Sequence, residues 1–242
     1  MKEMMLQTIL LCCLCLVSCS DSEENRPVLP PDQEQEEPET PDRPHDYTGL
    51  MNKTNSVPAN YEQEAEQRGE VVRVDYDTHD YAEGTGVART NTAYVYLPYG
   101  YDEHSDRRYN VLYFVHGHYG TAATTFEAEN GLVRKLLDHM TENGDMAPTI
   151  VVSPRYKYGN PPPNYVDADP YCEALPQELV NDLIPIVESR YRTYAESTDA
   201  AGLESSREHR AIGGFSMGAV TTWYALEHTL DYFKFFMPVS AD

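Results

Sequence analysis

Gly214-Phe215-Ser216-Met217-Gly218 is the stretch on which the reading of this chain turns. It has the form G-x-S-x-G. Strand-like Arg210-Ala211-Ile212-Gly213 precedes it, and helix-like Ala219 to Leu226 follows. This context predicts a nucleophile elbow, a sharp strand-to-helix turn with a strained serine and no room for side chains at the two glycines. The Ser216 hydroxyl is then lifted to the top of a sheet. The Met217 backbone N–H falls at a helix N-terminus, where it stabilises an oxyanion. The competing reading is a glycine-rich turn that happens to hold a serine. Strand before and helix after weigh against it.

A second piece lies upstream. Tyr109-Asn110-Val111-Leu112-Tyr113-Phe114-Val115 is a nearly continuous apolar run, which suits a central strand buried on both faces. It ends in His116-Gly117-His118-Tyr119-Gly120. In the α/β-hydrolase plan the loop after this strand supplies the second oxyanion donor, by position the backbone N–H of His118. A metal is the alternative for His116 and His118, but no third ligand is apparent nearby, and we expect none.

The rest of the folded part alternates. Val71 to Tyr76 and Thr92 to Leu97 read as half-exposed antiparallel edge strands, and Thr149 to Ser153 as a buried strand. Asn130 to Met140 reads as an amphipathic helix, with His139 on its solvated side. Leu175 to Tyr194 reads as a long helix kinked at Pro185, and Phe233 to Val239 as a further strand. The expectation is an α/β fold, a mostly parallel central sheet with helices on both faces. Catalytic groups collect at the C-terminal ends of its strands. The loop from Arg155 to Tyr171, rich in Tyr and Pro, is a candidate surface for a sugar ring or aromatic acyl group. A merely rigid surface loop is the alternative.

Val115 to Gly120, Ile212 to Gly218 and Thr222-Trp223-Tyr224 together resemble the esterase family of feruloyl esterases, acetylxylan esterases and xylanase Z type esterase modules. The resemblance runs from about Val71 to Asp242. It implies an α/β-hydrolase fold and serine-dependent hydrolysis of carboxylic esters on plant cell-wall polysaccharide, feruloyl or acetyl xylan. It implies no cofactor. Two other readings stay open: the same site acting on another ester, such as a siderophore lactone, and a non-catalytic glycan-binding protein on a degenerate hydrolase scaffold.

Triad partners in α/β-hydrolases follow in the order Ser, Asp or Glu, His. After Ser216 the sequence offers one histidine, His228, at the far end of a helix about 18 Å long. It cannot serve as base. Asp231 lies at the same end, and Asp242 is better placed but has no histidine to orient. We therefore expect a C-terminally incomplete hydrolase, with the acid and base beyond Asp242.

The front of the chain points to export. Leu6 to Val17 is an apolar run of signal-peptide length, too short for a membrane span. Leu16-Val17-Ser18-Cys19 resembles the lipobox of bacterial lipoproteins, with Cys19 lipidated; an ordinary secretory signal is the alternative. Ser20 to Glu24 resembles the acidic export tag of surface lipoproteins in some glycan-degrading Gram-negative bacteria. The expected organisation is a lipoprotein signal over 1–19, an acidic Pro-rich disordered tether over 20–46 and the hydrolase domain over 47–242, anchored at the outer membrane or cell surface.

Charge agrees with that placement. Eighteen Lys and Arg against forty Asp and Glu give a formal charge of −22, which argues against nucleic acid as a partner. Of the five cysteines, Cys12, Cys13 and Cys15 fall in the signal and Cys19 in the lipobox. Cys172 is left alone, which gives no disulfide framework; it reads as a lone loop thiol, or as half of a pair with a residue further on.

Overall fold

The computed structural model describes residues 57–157 and 164–240. The expected lipidation site Cys19, the tether and Asp242 lie outside the described residues. So does part of the Tyr- and Pro-rich loop.

Six strands form one mixed sheet: β1 (Glu70–His79), β2 (Ala88–Leu97), β3 (Asn110–Val115), β4 (Thr149–Ser153), β5 (Arg210–Phe215) and β6 (Phe235–Val239). Their order is β1-β2-β4-β3-β5-β6. β1 with β2 and β2 with β4 pair antiparallel; the pairs β4–β3, β3–β5 and β5–β6 are parallel. The expected α/β sheet is present. β2 is not an edge strand, however: it lies between β1 and β4, which explains why Ala93, Val95, Tyr96 and Leu97 are all buried.

Alternation along the strands sorts the core into two layers. Val111, Tyr113 and Val115 of β3 face one layer, and Leu112 and Phe114 face the other. The second layer is closed by α1 (Thr124–Glu142) through Leu132, Val133, Leu136, Leu137 and Met140. The first is closed by α2 (Tyr165–Glu178), α3 (Ile184–Arg190), α4 (Ala200–Ser205) and α5 (Met217–His228). Each such buried side chain contributes about 1.5–3 kcal/mol of transfer free energy.

Three readings of the helices change. The first helix starts at Thr124, six residues before Asn130, after a turn in which Thr121 N–H donates to Thr124 Oγ1 (2.7 Å) and Thr124 N–H to Thr121 Oγ1 (3.1 Å). His139 is buried rather than solvated. Its ring stacks on Tyr61 at 4.9 Å, with Nε2 3.2 Å from the Gln63 carbonyl.

The helix expected over Leu175 to Tyr194 starts and ends earlier: helical turns run unbroken from Tyr165 to Arg190, with a π turn beside the expected kink at Pro185. α2 begins at Tyr165, capped where the Asn164 side chain accepts from Asp167 N–H at 2.9 Å. A π turn, Leu179–Leu183, then widens the helix just before Pro185, which enters the first turn of α3. The wider turn absorbs the hydrogen bond that proline cannot donate. Cys172 accordingly sits in a helix, not a loop, free and fully buried.

At the base of β5, Arg210 holds the layers together. Its Nε and Nη2 donate to Glu188 of α3 at 2.5 and 2.9 Å. Nη2 also donates to Ser206 Oγ, and Nη1 to the carbonyls of Leu203 and Tyr232. Burial works against the Arg210 charge, but the bond and charge of Glu188 outweigh it and leave the pKa raised.

Candidate active site

Ser216 stands between β5 and α5 with φ 56° and ψ −119°, a left-handed conformation that a serine holds only under constraint, at about 1–3 kcal/mol. The constraint is visible. The Ser216 N–H donates to the Val239 carbonyl of β6 at 3.1 Å. Its carbonyl accepts from Ala219 and Val220 N–H at 2.8 and 3.1 Å, which starts α5. The turn is therefore tied to a neighbouring strand on one side and a helix on the other.

The two glycines are there for close approach. A Cβ on Gly218 would lie 2.0 Å from the Val115 carbonyl oxygen, and one on Gly214 would lie 2.6 Å from Gly218 backbone. Both spacings are shorter than atoms tolerate, so only glycine lets α5 start against the end of β3. The same crossing brings in the second loop. Gly117 lies 3.5 Å from the Ser216 Cβ, measured from where its own Cβ would be. His118 follows directly. The expected trio of Ser216, Met217 and His118 is thus gathered at the C-terminal ends of β3 and β5.

Met217 N–H lies in the first turn of α5, with no hydrogen bond to it among the described residues. The loop opposite is fixed from several directions. His116 is buried, with Nδ1 2.8 Å from the Gly117 carbonyl. The carbonyl accepts, so Nδ1 carries the proton. Gly120 N–H donates to the same carbonyl at 3.0 Å. That carbonyl shares its peptide plane with the His118 N–H, so two bonds orient the expected second donor. Lys157 Nζ donates to the His118 carbonyl, which holds the next peptide as well.

Burial pulls the His116 pKa down to about 4, against the raising effect of its bond to Gly117. The imidazole is neutral at neutral pH, and it packs on the Tyr156 ring at 4.7 Å. Tyr156 is buried, so this tyrosine of the expected substrate loop is core, and Tyr165 to Tyr171 belong to α2. The sequence offered Tyr156 as a substrate contact rather than as a support for His116, and nothing in it gave Lys157 its bond to the His118 carbonyl. Behind the elbow, burial pushes the Cys172 thiol up to about 12; it contacts the Met217 carbonyl at 3.5 Å as a packing group.

His228 ends α5, exposed beside Glu227, at the far end of the helix from Ser216 as the sequence implied. Among the described residues no group of three His, Cys, Asp or Glu side chains is arranged to hold a metal ion. Trp223, part of the sequence resemblance, is exposed on α5, and Tyr119 is exposed beside His118.

Comparison with known proteins yields consistent relatives. The model of the family described as Putative esterase matches residues 85–241. Endo-1,4-beta-xylanase Y of Acetivibrio thermocellus is 40% identical over 188 residues, covering 77% of this chain and 15% of the xylanase. A mutant of the feruloyl esterase module from Clostridium thermocellum, complexed with sinapinate, is 38% identical with a TM-score of 0.65, covering 77% of this chain and 59% of that one. A ferulic acid esterase from Anaeromyces mucronatus, in complex with ferulic acid, is 22% identical with a TM-score of 0.60, covering 76% and 62%; this likeness bears on the fold alone. The chain spans less than two thirds of the length of each.

Proposed function

The chain belongs to the Putative esterase family, and on that premise we propose that it is a serine hydrolase of carboxylic esters on plant cell-wall polysaccharide. The observation that carries this is the strained Ser216 between β5 and α5, with Met217 N–H in the first helical turn beside it. Ser216 Oγ attacks the ester carbonyl while a general base takes its proton. The carbonyl oxygen becomes an oxyanion held by the N–H groups of Met217 and His118. The base returns that proton to the sugar oxygen as the acyl C–O bond breaks, so the sugar leaves as an alcohol, and water then releases the acid from the acyl-enzyme. A histidine oriented by a carboxylate is the base in sites of this kind. A hydroxycinnamoyl acyl group is supported by the sinapinate complex of the 38% identical module.

The test uses the full chain, a fluorophosphonate probe and two substrates, methyl ferulate and acetylated xylan. Ser216 takes the probe, and Ser216→Ala lowers ester turnover by about a thousandfold or more. Turnover undiminished in Ser216→Ala would sink the proposal. Membrane attachment through Cys19 is part of the same reading, supported by the Leu16-Val17-Ser18-Cys19 sequence. Incorporation of labelled palmitate that persists in Cys19→Ala would refute it.

A further inference from the structure

A cavity of about 710 Å³ opens at the other end of α5 from Ser216. The loop between β1 and β2 forms one wall, the outer stripe of α2 and the π turn forms the second, and the end of α5 the third. The length of α5 separates it from the serine by about 18 Å. One ester cannot occupy both.

Its lining is selective. Neither Lys nor Arg contributes, whereas Glu83 and Glu173 do, which disfavours phosphates and carboxylic acids. Two tyrosines, Tyr81 and Tyr232, line the cavity, and both are anchored to the protein. Tyr81 donates to Asp182 Oδ2 at 2.9 Å, and Asp182 is itself held by Thr78 at 2.7 Å. Tyr232 is fixed through its backbone, whose carbonyl accepts from Arg210. Aromatic side chains of this kind are the groups on which a pyranose ring packs. Glu173 and Gln177 are exposed one helical turn apart, about 6 Å. Glu173 can accept hydrogen bonds from sugar hydroxyls, and Gln177 can both accept and donate.

We propose that this cavity binds a neutral oligosaccharide segment of the polysaccharide whose ester reaches Ser216. The identity of that glycan as xylan rests on the proposed function; the preference for a neutral polyol rests on the lining alone. A second grip on the same polymer raises the effective concentration of esters at the serine without any new contact there.

Titration calorimetry of the full chain with unesterified xylohexaose tests it. The wild type binds. Tyr81→Ala and the double variant Glu173→Ala/Gln177→Ala each weaken binding about tenfold or more. The double variant keeps its helix, because both positions are exposed and alanine favours helix. Equal affinity in all three proteins, or no binding of xylo-, cello- or mannohexaose by the wild type, overturns the site. Fluorophosphonate labelling of Ser216 reads the esterase separately. Labelling without oligosaccharide binding removes only the second site. Binding of cellohexaose that is lost in the variants, without labelling, keeps the site and removes the xylan esterase.

Discussion

Replacing Gly218 with alanine adds one methyl group at the tightest point of the molecule. That methyl would lie 2.0 Å from the Val115 carbonyl oxygen and 2.7 Å from its carbon, where ordinary contacts begin near 3.4 Å. The end of β3 and the start of α5 must part by about 1.4 Å, and both partners are backbone with no rotamer to yield. Overpacking of this kind costs about 3 kcal/mol or more, and the better helix propensity of alanine returns at most about 1 kcal/mol. A net loss of about 2 kcal/mol lowers Tm by roughly 4–8 °C in a domain of this size. The same shift moves Met217 N–H relative to Ser216, and a 1 Å misplacement costs about a hundredfold in reactivity. Urea denaturation reads the first effect and the rate of fluorophosphonate labelling reads the second. A Gly218→Ala protein with unchanged midpoint and unchanged labelling would refute the close crossing of β3 and α5.

Two further outcomes follow from buried charge. Glu188→Ala strands the Arg210 guanidinium, and urea unfolding should report a loss of about 3–5 kcal/mol. A loss under about 1 kcal/mol would mean that the pair is not the clamp described. For His116, the folded pKa of about 4 lies below the unfolded 6.5, so the unfolded state binds the extra proton between these values. Stability is then flat above pH 6.5 and falls toward pH 4 by up to about 1.4 kcal/mol per unit. Burial also lowers the His209 pKa, which adds to the slope. The urea midpoint of His116→Asn, followed from pH 7 to 4.5, should show a shallower slope than wild type, and an identical slope would count against a buried neutral imidazole.

The strands and the elbow were legible because their signals are local. The fully apolar run of β3 and the glycine spacing around Ser216 each reflect contacts that every residue in the run must satisfy. Helix starts were harder. The first turn of α1 holds β-branched Thr124 and Thr125, and α2 carries Pro170 within it, so propensity argued against helix while tertiary burial and the Asn164 cap decided for it. The place of β2 inside the sheet depends on pairing with β4 more than fifty residues away, which alternation along one strand does not encode. His139 reads as polar in sequence yet is buried because Tyr61, over seventy positions earlier, supplies a ring to stack on. At the site, the motif pointed to Ser216, Met217 and His118, but not to the bonds by which His116 and Gly120 orient the peptide that carries the His118 N–H, or by which Lys157 holds the next one.

The bond from Ser216 N–H to the Val239 carbonyl has a kinetic consequence. Val115 of β3 pairs with Gly214 of β5 across almost a hundred intervening residues, and β6 then docks on β5. Loop closure of that length is slow, and parallel pairing offers no hairpin shortcut. The serine gains its left-handed conformation only once both strands are in register. During refolding, any probe reactivity at Ser216 therefore rises with the last phase, after helical signal has recovered, and no partly folded intermediate holds the serine in this conformation.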